Sequence, residues 1–383
     1  MQLPELPFQI DYTIVGLVLL YIFGATAFVH LLFYLITFRR LAFYKETPGN
    51  NEQPPVSIII CAKNEAENLR QFLEPVLQQN YKHYQVIVVN DCSWDETEEY
   101  LEAVQKQYPA LLKVINLQEQ ERYKHGKKFA LAIGIKGAQF EHLLLTDADC
   151  KPSGPDWLSE MMCGYQSKQS EFVIGYGAYM KEGGILNKWI RFDTAYNGMQ
   201  YLSYAIAGKP YMGVGRNLSY KKDVFFRSKG FASHAHVMSG DDDLFVNENA
   251  NTKNTAVRIN RKAFTLSKAK TTFNNWYRQK KRHISTSKYY KTPQKLKLGF
   301  YYFTTYLFWM MSALLLSLQI QWMYVTGALV FVLGLKWFIT GKSFQKLNES
   351  DLIIFYPFFE LFSLFIYPFL KIGSRFKKEV SWK

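Results

Sequence analysis

The sequence is poor in cysteine and in acidic residues, and it contains no internal repeat or low-complexity tract. Its four cysteines, at positions 61, 92, 150 and 163, show neither close pairing nor zinc-ligand spacing, which argues against a disulfide framework and a zinc finger. Against 32 Asp and Glu there are 46 Lys and Arg, a formal net charge of +14. We therefore expect anionic partners such as phosphates or acidic lipid. Without a zinc signature or an aromatic-basic sheet motif, we expect no nucleic acid.

One long stretch lacks acidic residues altogether. From Arg258 to Lys297 there are 13 Lys or Arg residues and no Asp or Glu. A basic amphipathic segment of this kind is typical of a helix that rests on anionic membrane lipid. The sequence therefore predicts a basic interfacial segment at residues 273–299.

A long apolar run near the N-terminus contains no Lys, Arg, Asp or Glu between residues 12 and 38. Its length is sufficient to span a bilayer. Arg39, Arg40 and Lys45 follow at once, and by the positive-inside rule they place the next segment in the cytoplasm. The sequence therefore predicts a membrane anchor over residues 1–46, in a protein of the bacterial inner membrane whose following domain is cytoplasmic.

Three further apolar runs lie in the C-terminal region, residues 300–383. Spans are expected at about 300–322 and 323–340, the second of which contains Lys336. The last run, 352–370, contains Glu360 and two prolines. If it also crossed, the basic tail would end outside, against the positive-inside rule. We therefore favour a re-entrant or interfacial segment there, with a third crossing as the alternative.

Residues 47–272 alternate short apolar runs with amphipathic stretches. This alternation predicts an α/β fold, with a central, mostly parallel sheet covered by helices. Strands are expected at 56–61, 85–89, 112–116 and 142–146, and helices at 65–79, 95–107 and 127–139. Ligands of such sheets bind at the carboxyl ends of the strands, which is where Asp91 and Asp147 fall.

Two aspartates end the fourth of these strands, in the order Asp147-Ala148-Asp149. Carboxylates one residue apart at a strand end suit a hard divalent cation, Mg²⁺ or Mn²⁺, which in turn can hold a diphosphate. The alternative is that the two side chains only cap a turn. The motifs on either side of this pair decide in favour of a metal site.

Several motifs follow one another in a consistent order. They are Asn64-Glu65 after the first strand, Asn90-Asp91-Cys92-Ser93 after the second, Gly126-Lys127-Lys128, Asp147-Ala148-Asp149, Gly213-Val214-Gly215-Arg216-Asn217, Gly240-Asp241-Asp242-Asp243, and Gln279-Lys280-Lys281-Arg282-His283. This set resembles the membrane-bound family 2 glycosyltransferases, which implies a GT-A (Rossmann-like) fold. The chain departs from the family pattern at Asn90, Cys92, Gly240 and His283, which replace aspartate, glycine, glutamate and tryptophan. The last replacement puts processive synthesis in doubt.

The resemblance implies a role for each matching residue. The donor side comprises Glu65 and Asp91 near the nucleoside, Lys128, Gln279 and Arg282 at the diphosphate, and Asp147 at the nucleotide. Asp149, with Asp147, holds the metal. The acceptor side comprises Gly213, Gly215, Asn217 and His283. Each motif also has a plainer explanation: a solvated lysine, a tight turn, or a basic helix on anionic lipid.

Asp241 is predicted to be the general base, because alignment on Asp243-Leu244 gives it that position in the family motif. Asp242 is the second candidate. Three successive carboxylates repel one another, so at least one of them is expected to have a raised pKa, which suits a base near neutral pH. The alternative is a charged helix N-terminus without catalytic function.

These observations predict an inverting glycosyltransferase that moves a sugar from a nucleotide-sugar to a hydroxyl of a lipid or lipid-linked saccharide. One alternative is a processive polysaccharide synthase. A second is a nucleotidyltransferase acting on a lipid phosphate, and a third is a non-catalytic nucleotide sensor. Release of nucleoside diphosphate, of pyrophosphate, or of neither distinguishes these reaction classes.

Overall fold

A computed structural model describes residues 12–47, 53–119, 126–167 and 169–375. Residues 48–52, inside the polar linker expected at 47–55, and the part of the basic tail after residue 375 lie outside these ranges. Within them, ten strands form two sheets. The strands are β1 (Val56–Ala62), β2 (Tyr84–Asp91), β3 (Leu112–Leu117), β4 (His142–Asp147), β5 (Cys150–Pro152), β6 (Phe172–Ile174), β7 (Gly177–Tyr179), β8 (Leu218–Lys221), β9 (Thr255–Val257) and β10 (Thr265–Ser267).

The larger sheet has the strand order β3-β2-β1-β4-β8-β6-β9. Strands β1 to β4 are parallel, with Ile58 of β1 opposite Val86 of β2 and Leu144 of β4. Strand β8 runs antiparallel to both of its neighbours, and the smaller sheet has the order β5-β10-β7. Strand β1 is buried along its whole length, as expected of a strand covered by helices on both faces. The predicted α/β fold with a mostly parallel sheet is confirmed.

Thirteen α-helices lie in the described residues. They are α1 (Tyr12–Leu32), α2 (Arg39–Ala42), α3 (Ala66–Leu77), α4 (Thr97–Gln107), α5 (Lys127–Gly137), α6 (Trp157–Met162), α7 (Ile185–Ile206), α8 (Lys222–Arg227), α9 (Asp243–Asn249), α10 (Phe273–Thr286), α11 (Thr292–Ser317), α12 (Trp322–Lys346) and α13 (Tyr356–Arg375). A π-helical segment, Phe33–Phe38, joins α1 to α2. The predicted helices at 65–79, 95–107 and 127–139 correspond to α3, α4 and α5.

Four helical stretches are long and apolar enough to cross a membrane: Thr13–Ala42, Thr292–Ser317, Trp322–Lys346 and Ser350–Gly373. These stretches indicate membrane association. The second begins before the predicted start at residue 300. Pro293 lies in its first turn, where proline is favoured. Gln319 and Gln321, both with positive φ, separate α11 from α12. The last of the four stretches, Ser350–Gly373, is long enough to cross, and the re-entrant arrangement stays a prediction.

The charged residues that interrupt two of the apolar runs pair with each other. Lys336 of α12 forms a buried ion pair with Glu360 of α13. Beside it, the hydroxyl groups of Tyr34, Tyr196 and Tyr301 form a chain of hydrogen bonds. Intramembrane charges are costly unless they are paired and hydrogen-bonded, so this cluster explains how Lys336 is accommodated.

Helix α7 was not predicted from the sequence. It begins after Gly184, whose φ of +92° favours glycine, and it contacts the strands β7 and β9 as well as the helices α2, α12 and α13. Its buried Arg191 pairs with Glu349 and, at 2.7 Å, with Asp351. This helix therefore connects the sheet to the membrane helices.

Candidate active site

Three carboxylates lie at the carboxyl edge of the larger sheet. Asp91 ends β2 and is buried, Asp147 ends β4, and Asp149 follows two residues later. Asp147, Asp149 and Cys150 present ligand atoms within 4.8 Å of one another. Sulfur is a soft ligand, and the Cys150 thiol already lies 2.9 Å from the Ser267 hydroxyl, so it suits a hard cation poorly. The two aspartates are therefore the groups that fit Mg²⁺ or Mn²⁺.

Lys127 bridges this edge to a second group of carboxylates. Its Nζ lies 2.8 Å from Oδ1 of Asp147 and 3.3 Å from Oδ2 of Asp241. Burial alone would lower the pKa of Lys127, but Asp147, Asp241 and Asp242 outweigh it and raise this pKa well above its usual value. Because one oxygen of Asp147 is engaged by Lys127, Asp149 is the less encumbered metal ligand.

Lys128 points elsewhere. Its Nζ donates hydrogen bonds to the carbonyl oxygens of His234 and Val237, at 2.7 and 2.8 Å. Burial lowers its pKa to about 8. The diphosphate-binding role predicted for Lys128 thus has no support in this geometry, and Lys127 is the lysine beside the carboxylates. Lys128 instead tethers α5 to the segment that precedes Asp241.

The three consecutive aspartates at the start of α9 have different surroundings. Asp242 caps the helix: its Oδ1 accepts from the Asp243 amide at 2.7 Å, and its Oδ2 accepts from the Gly215 amide at 2.6 Å. Burial and the charges of Asp241 and Asp243 raise the pKa of Asp242 to about 7. The predicted raised pKa within this group is confirmed. Asp241 is 5% exposed and faces Lys127.

Asp243 has a structural role. It accepts hydrogen bonds from the hydroxyl groups of Thr286 and, at 2.8 Å, Tyr290. These two residues lie at the end of α10 and just before α11. Asp243 therefore ties the start of α9 to the basic helix and to the first C-terminal membrane helix, which leaves Asp241 and Asp242 as the catalytic candidates.

The glycine-rich segment before β8 approaches the aspartates closely. A Cβ added at Gly215 would lie 3.2 Å from Oδ2 of Asp242, so a larger residue would crowd this carboxylate. Gly213 instead packs against Leu218 and Val246 in the core. Of the two glycines predicted on the acceptor side, the structure thus brings Gly215 to the carboxylates.

Asn217 is fully buried and all its polar atoms are engaged. Its Oδ1 accepts from Trp157 Nε1 at 3.1 Å, and its Nδ2 donates to the carbonyl oxygens of Tyr176 and Ala263 at 2.9 and 2.8 Å. The acceptor-side role predicted for Asn217 therefore has no support in this geometry. The side chain holds three segments of the domain together.

No role was predicted for Arg216 from the sequence, although it lies inside the glycine-rich motif. Its guanidinium donates to the Gly177 carbonyl oxygen at 2.6 Å and lies 4.8 Å from the centre of the Tyr179 ring. Its charge also acts on Asp147. Among the described residues its buried Nε has no hydrogen-bond partner. Arg216 adds a fixed positive charge beside the metal-site aspartates.

The loops after β1 and β2 hold each other through polar side chains. Asp95 accepts hydrogen bonds from the amides of Ala66 and Thr97, the first residues of α3 and α4. This is a capping function. Glu65 is buried, and its Oε2 accepts from Asn68 at 2.5 Å. Glu65 follows β1, and Asp91 ends β2. Both residues therefore lie at the same edge of the sheet as Asp147, which ends β4.

Helix α10 contributes the cationic wall of the site. Gln279 and Arg282 are half-buried, and the charge of Arg282 acts on Asp147. His283 is exposed on this helix, beside the charges of Arg282 and Lys280. Lys280 is held by Asp193 of α7 at 2.7 Å.

Comparison with known proteins agrees with this arrangement. A sequence model described as glycosyl transferase family 2 matches residues 57–226, and one described as glycosyl transferase family group 2 matches residues 142–341. The poly-beta-1,6-N-acetyl-D-glucosamine synthase of Staphylococcus epidermidis is 30% identical over 28% of this chain and 27% of its own length. The putative teichuronic acid biosynthesis glycosyltransferase TuaG of Bacillus subtilis is 27% identical over 37% of this chain and 54% of its own. The matched region thus spans about half of the length of these relatives, or less.

A solved structure also resembles the chain over nearly its whole length. It is the mannosyltransferase PcManGT of Pyrobaculum calidifontis in complex with GDP-Man and Mn²⁺. The TM-score is 0.58 at 16% sequence identity, and the match covers 91% of this chain and 98% of the other. This likeness establishes the GT-A fold.

Proposed function

The chain belongs to the family 2 glycosyltransferases, and we propose that it is a metal-dependent, inverting member acting at the cytoplasmic face of a membrane. The donor is a nucleotide-sugar, and the acceptor is a hydroxyl of a lipid or lipid-linked saccharide. The observation that carries this proposal is the bridge made by Lys127. Its ammonium group contacts both Asp147, a proposed metal ligand, and Asp241, the proposed base, so the two carboxylates lie next to each other.

The donor is held at the carboxyl edge of the sheet. Asp91 and Glu65 contact the nucleoside, and Asp149, with Asp147, holds Mg²⁺ or Mn²⁺. When bound, the cation neutralises the charge of the leaving nucleoside diphosphate. Lys127, Gln279 and Arg282 surround the same diphosphate, and the planar guanidinium of Arg282 suits paired phosphate oxygens.

Asp241 acts on the acceptor. Its carboxylate takes the proton from the attacking hydroxyl, which approaches the sugar carbon from the face opposite the diphosphate and thereby inverts its configuration. Gly215 allows the backbone to approach the carboxylates closely, and the exposed His283 lies on the acceptor side. Asp242 is the alternative base.

The acceptor reaches the site from the membrane. Helix α10, which carries Gln279, Arg282 and His283, packs on α13 and joins the membrane helix α11 through a short turn. Exposed lysines of the basic segment contact anionic lipid at the inner face of a bacterial inner membrane. A lipid or lipid-linked saccharide is therefore delivered beside Asp241.

The test is a screen of nucleotide-sugars with purified full-length protein in detergent and Mn²⁺. Release of nucleoside diphosphate is expected from at least one donor. Excess EDTA and Asp149→Ala should both abolish it, whereas the matched control Asp156→Ala, which removes a half-buried carboxylate paired with Lys262, should not. Release of pyrophosphate would indicate a nucleotidyltransferase, and release of neither would indicate a nucleotide sensor.

A second candidate is a processive polysaccharide synthase, favoured by the similarity to the poly-beta-1,6-N-acetyl-D-glucosamine synthase of Staphylococcus epidermidis. His283 replaces the tryptophan of the family motif, so we expect single transfers. With limiting acceptor and excess donor, the product should carry one added sugar. Long chains formed while most acceptor is unmodified would favour the synthase.

A further inference from the structure

Helix α10 packs on α7 along two successive turns. Near the start of α10, the ring of Trp276 lies edge-on to the ring of Trp189 of α7, with 5.6 Å between their centres. One turn later on each helix, Nζ of Lys280 lies 2.7 Å from Oδ2 of Asp193. Both tryptophans are 3% exposed, so the first contact belongs to the core. The ion pair is therefore the polar half of one contact between two helices.

Asp193 holds this lysine within a set of directional bonds. Its side chain is 4% exposed, and that of Lys280 is 13% exposed. Oδ1 of Asp193 accepts from the hydroxyl of Tyr367 of α13 and, at 3.2 Å, from Nδ2 of Asn197. Nζ of Lys280 also lies 5.6 Å from the centre of the Tyr367 ring. Donors from α7, α10 and α13 thus meet at one buried carboxylate.

A buried ion pair is a poor source of stability, because desolvation of the two charges offsets much of their attraction. What the pair adds over an apolar contact is direction. The ammonium group must meet the carboxylate at hydrogen-bond distance, whereas apolar side chains tolerate a shift along or around the helix axis. The pair of Asp193 and Lys280 therefore fixes the rotation and the axial position of α10.

The neighbouring face of α10 carries the residues proposed to contact the donor. Gln279, Arg282 and Thr286 are spaced by three and four positions, so they share one face of this helix. The hydroxyl of Thr286 donates to Asp243, which places that face at the start of α9. Lys280 directly follows Gln279, about 100° further around the helix. A rotation that displaced Lys280 would therefore also turn Arg282.

We propose that Asp193 is a positioning residue, which through Lys280 orients α10 so that Arg282 contacts the diphosphate of the donor. Its effect reaches the substrate through the helix and not by direct contact. The inference rests on the proposed function, from which it takes the contact between Arg282 and the diphosphate. It deepens that function by naming the residue that sets this contact.

The test is the affinity of the full-length protein in detergent for UDP and for GDP, each with Mn²⁺, measured by calorimetry without turnover. Asp193→Asn can still accept from Tyr367 but loses the charge that holds Lys280. The affinity should therefore fall about tenfold or more. Glu349→Gln is the matched control, because it neutralises another buried carboxylate on the contacts of α7, and it should retain the affinity.

A second variant separates the position of α10 from the stability of the protein. Asp193→Asn/Lys280→Met removes both charges, so no unpaired charge stays buried, and the midpoint of denaturant unfolding should return toward the wild-type value. The affinity should stay as low as in Asp193→Asn, because the directional contact is still missing. Recovery of the affinity together with the stability would show a structural role only and would overturn the proposal.

Arg282 supplies the link to the donor. Arg282→Ala should weaken binding, and Asp193→Asn/Arg282→Ala should bind little more weakly than Arg282→Ala alone, because Asp193 acts through Arg282. Additive losses would contradict this. Wild-type affinity in Asp193→Asn beside a weakened Arg282→Ala would sink this inference alone. Wild-type affinity in Arg282→Ala would remove the contact that the proposed function assumes, and this inference with it.

Discussion

At the residue scale, Asp241, Asp242 and Asp243 are the same type of residue but have different environments. Asp243 is engaged by Thr286 and Tyr290, Asp242 by two backbone amides, and Asp241 by Lys127. The sequence predicted a coupled group of carboxylates with a raised pKa. It did not predict the different surroundings, because the partners lie far away along the chain.

Asp241→Asn keeps the shape of the side chain but removes its ability to accept a proton. We expect kcat to fall by roughly 10²–10⁴-fold, because general-base catalysis contributes about that much. Donor affinity, measured by calorimetry with nucleoside diphosphate and metal, should change little. Asp242→Asn is the internal control and should lower kcat less than Asp241→Asn does. If only Asp242→Asn abolishes transfer, Asp242 is the base.

The raised pKa of Asp242 predicts a pH dependence. Burial and two neighbouring carboxylates raise this pKa to about 7, so Asp242 is neutral below that pH and charged above it. Above that pH the Asp242 carboxylate adds a negative charge beside the attacking hydroxyl and stabilises the positive charge that develops there, so kcat should rise as the pH increases through about 7. The profile of Asp242→Asn should lack this step. A step that persists in this variant would assign it to another group.

Two features of individual residues could not be predicted from the sequence. Lys127 and Lys128 are adjacent in a motif, and only the direction of each side chain from the first turn of α5 distinguishes the one at the carboxylates. Cys92 stands where the family has glycine, and its φ of +52° explains why glycine suits that position. Local conformation was not evident from residue type alone.

At the element scale, the strands and helices of the first half followed from their apolar patterns. β1 to β4 and α3 to α5 agree with the predicted ranges to within a few residues. Helix α7 was missed because it is buried on nearly every side, so no amphipathic period marks it. Its partners include β7 and α12, which only the folded chain brings together.

The ion pair between Arg191 and Glu349 tests the anchoring of α7. Both side chains are 2% exposed, so Arg191→Met should leave an unpaired buried carboxylate and destabilise the protein by about 3–5 kcal/mol. Arg191→Met/Glu349→Leu should recover much of this loss. Denaturant unfolding in detergent provides the measurement. A single variant as stable as the wild type would show that the pair does not anchor the helix.

At the scale of the whole molecule, the proposed topology places the sheet domain in the cytoplasm. Cys92 and Cys163 are partly accessible, whereas Cys61 and Cys150 are buried. An impermeant maleimide should therefore label inside-out membrane vesicles and leave intact right-side-out vesicles unlabelled. Cys92→Ser/Cys163→Ser is the control and should lose the label. Labelling of right-side-out vesicles would place the domain on the opposite face.

The measurement that tests the account most directly is the anomeric configuration of the first-formed product, followed by proton NMR. A base-activated hydroxyl that attacks opposite the leaving diphosphate makes one displacement at the sugar carbon, so an α-linked nucleotide-sugar should give a β-linked product. Asp241→Asn should suppress its formation. An α-linked product formed at the earliest times would contradict the in-line mechanism and the role of Asp241 as its base.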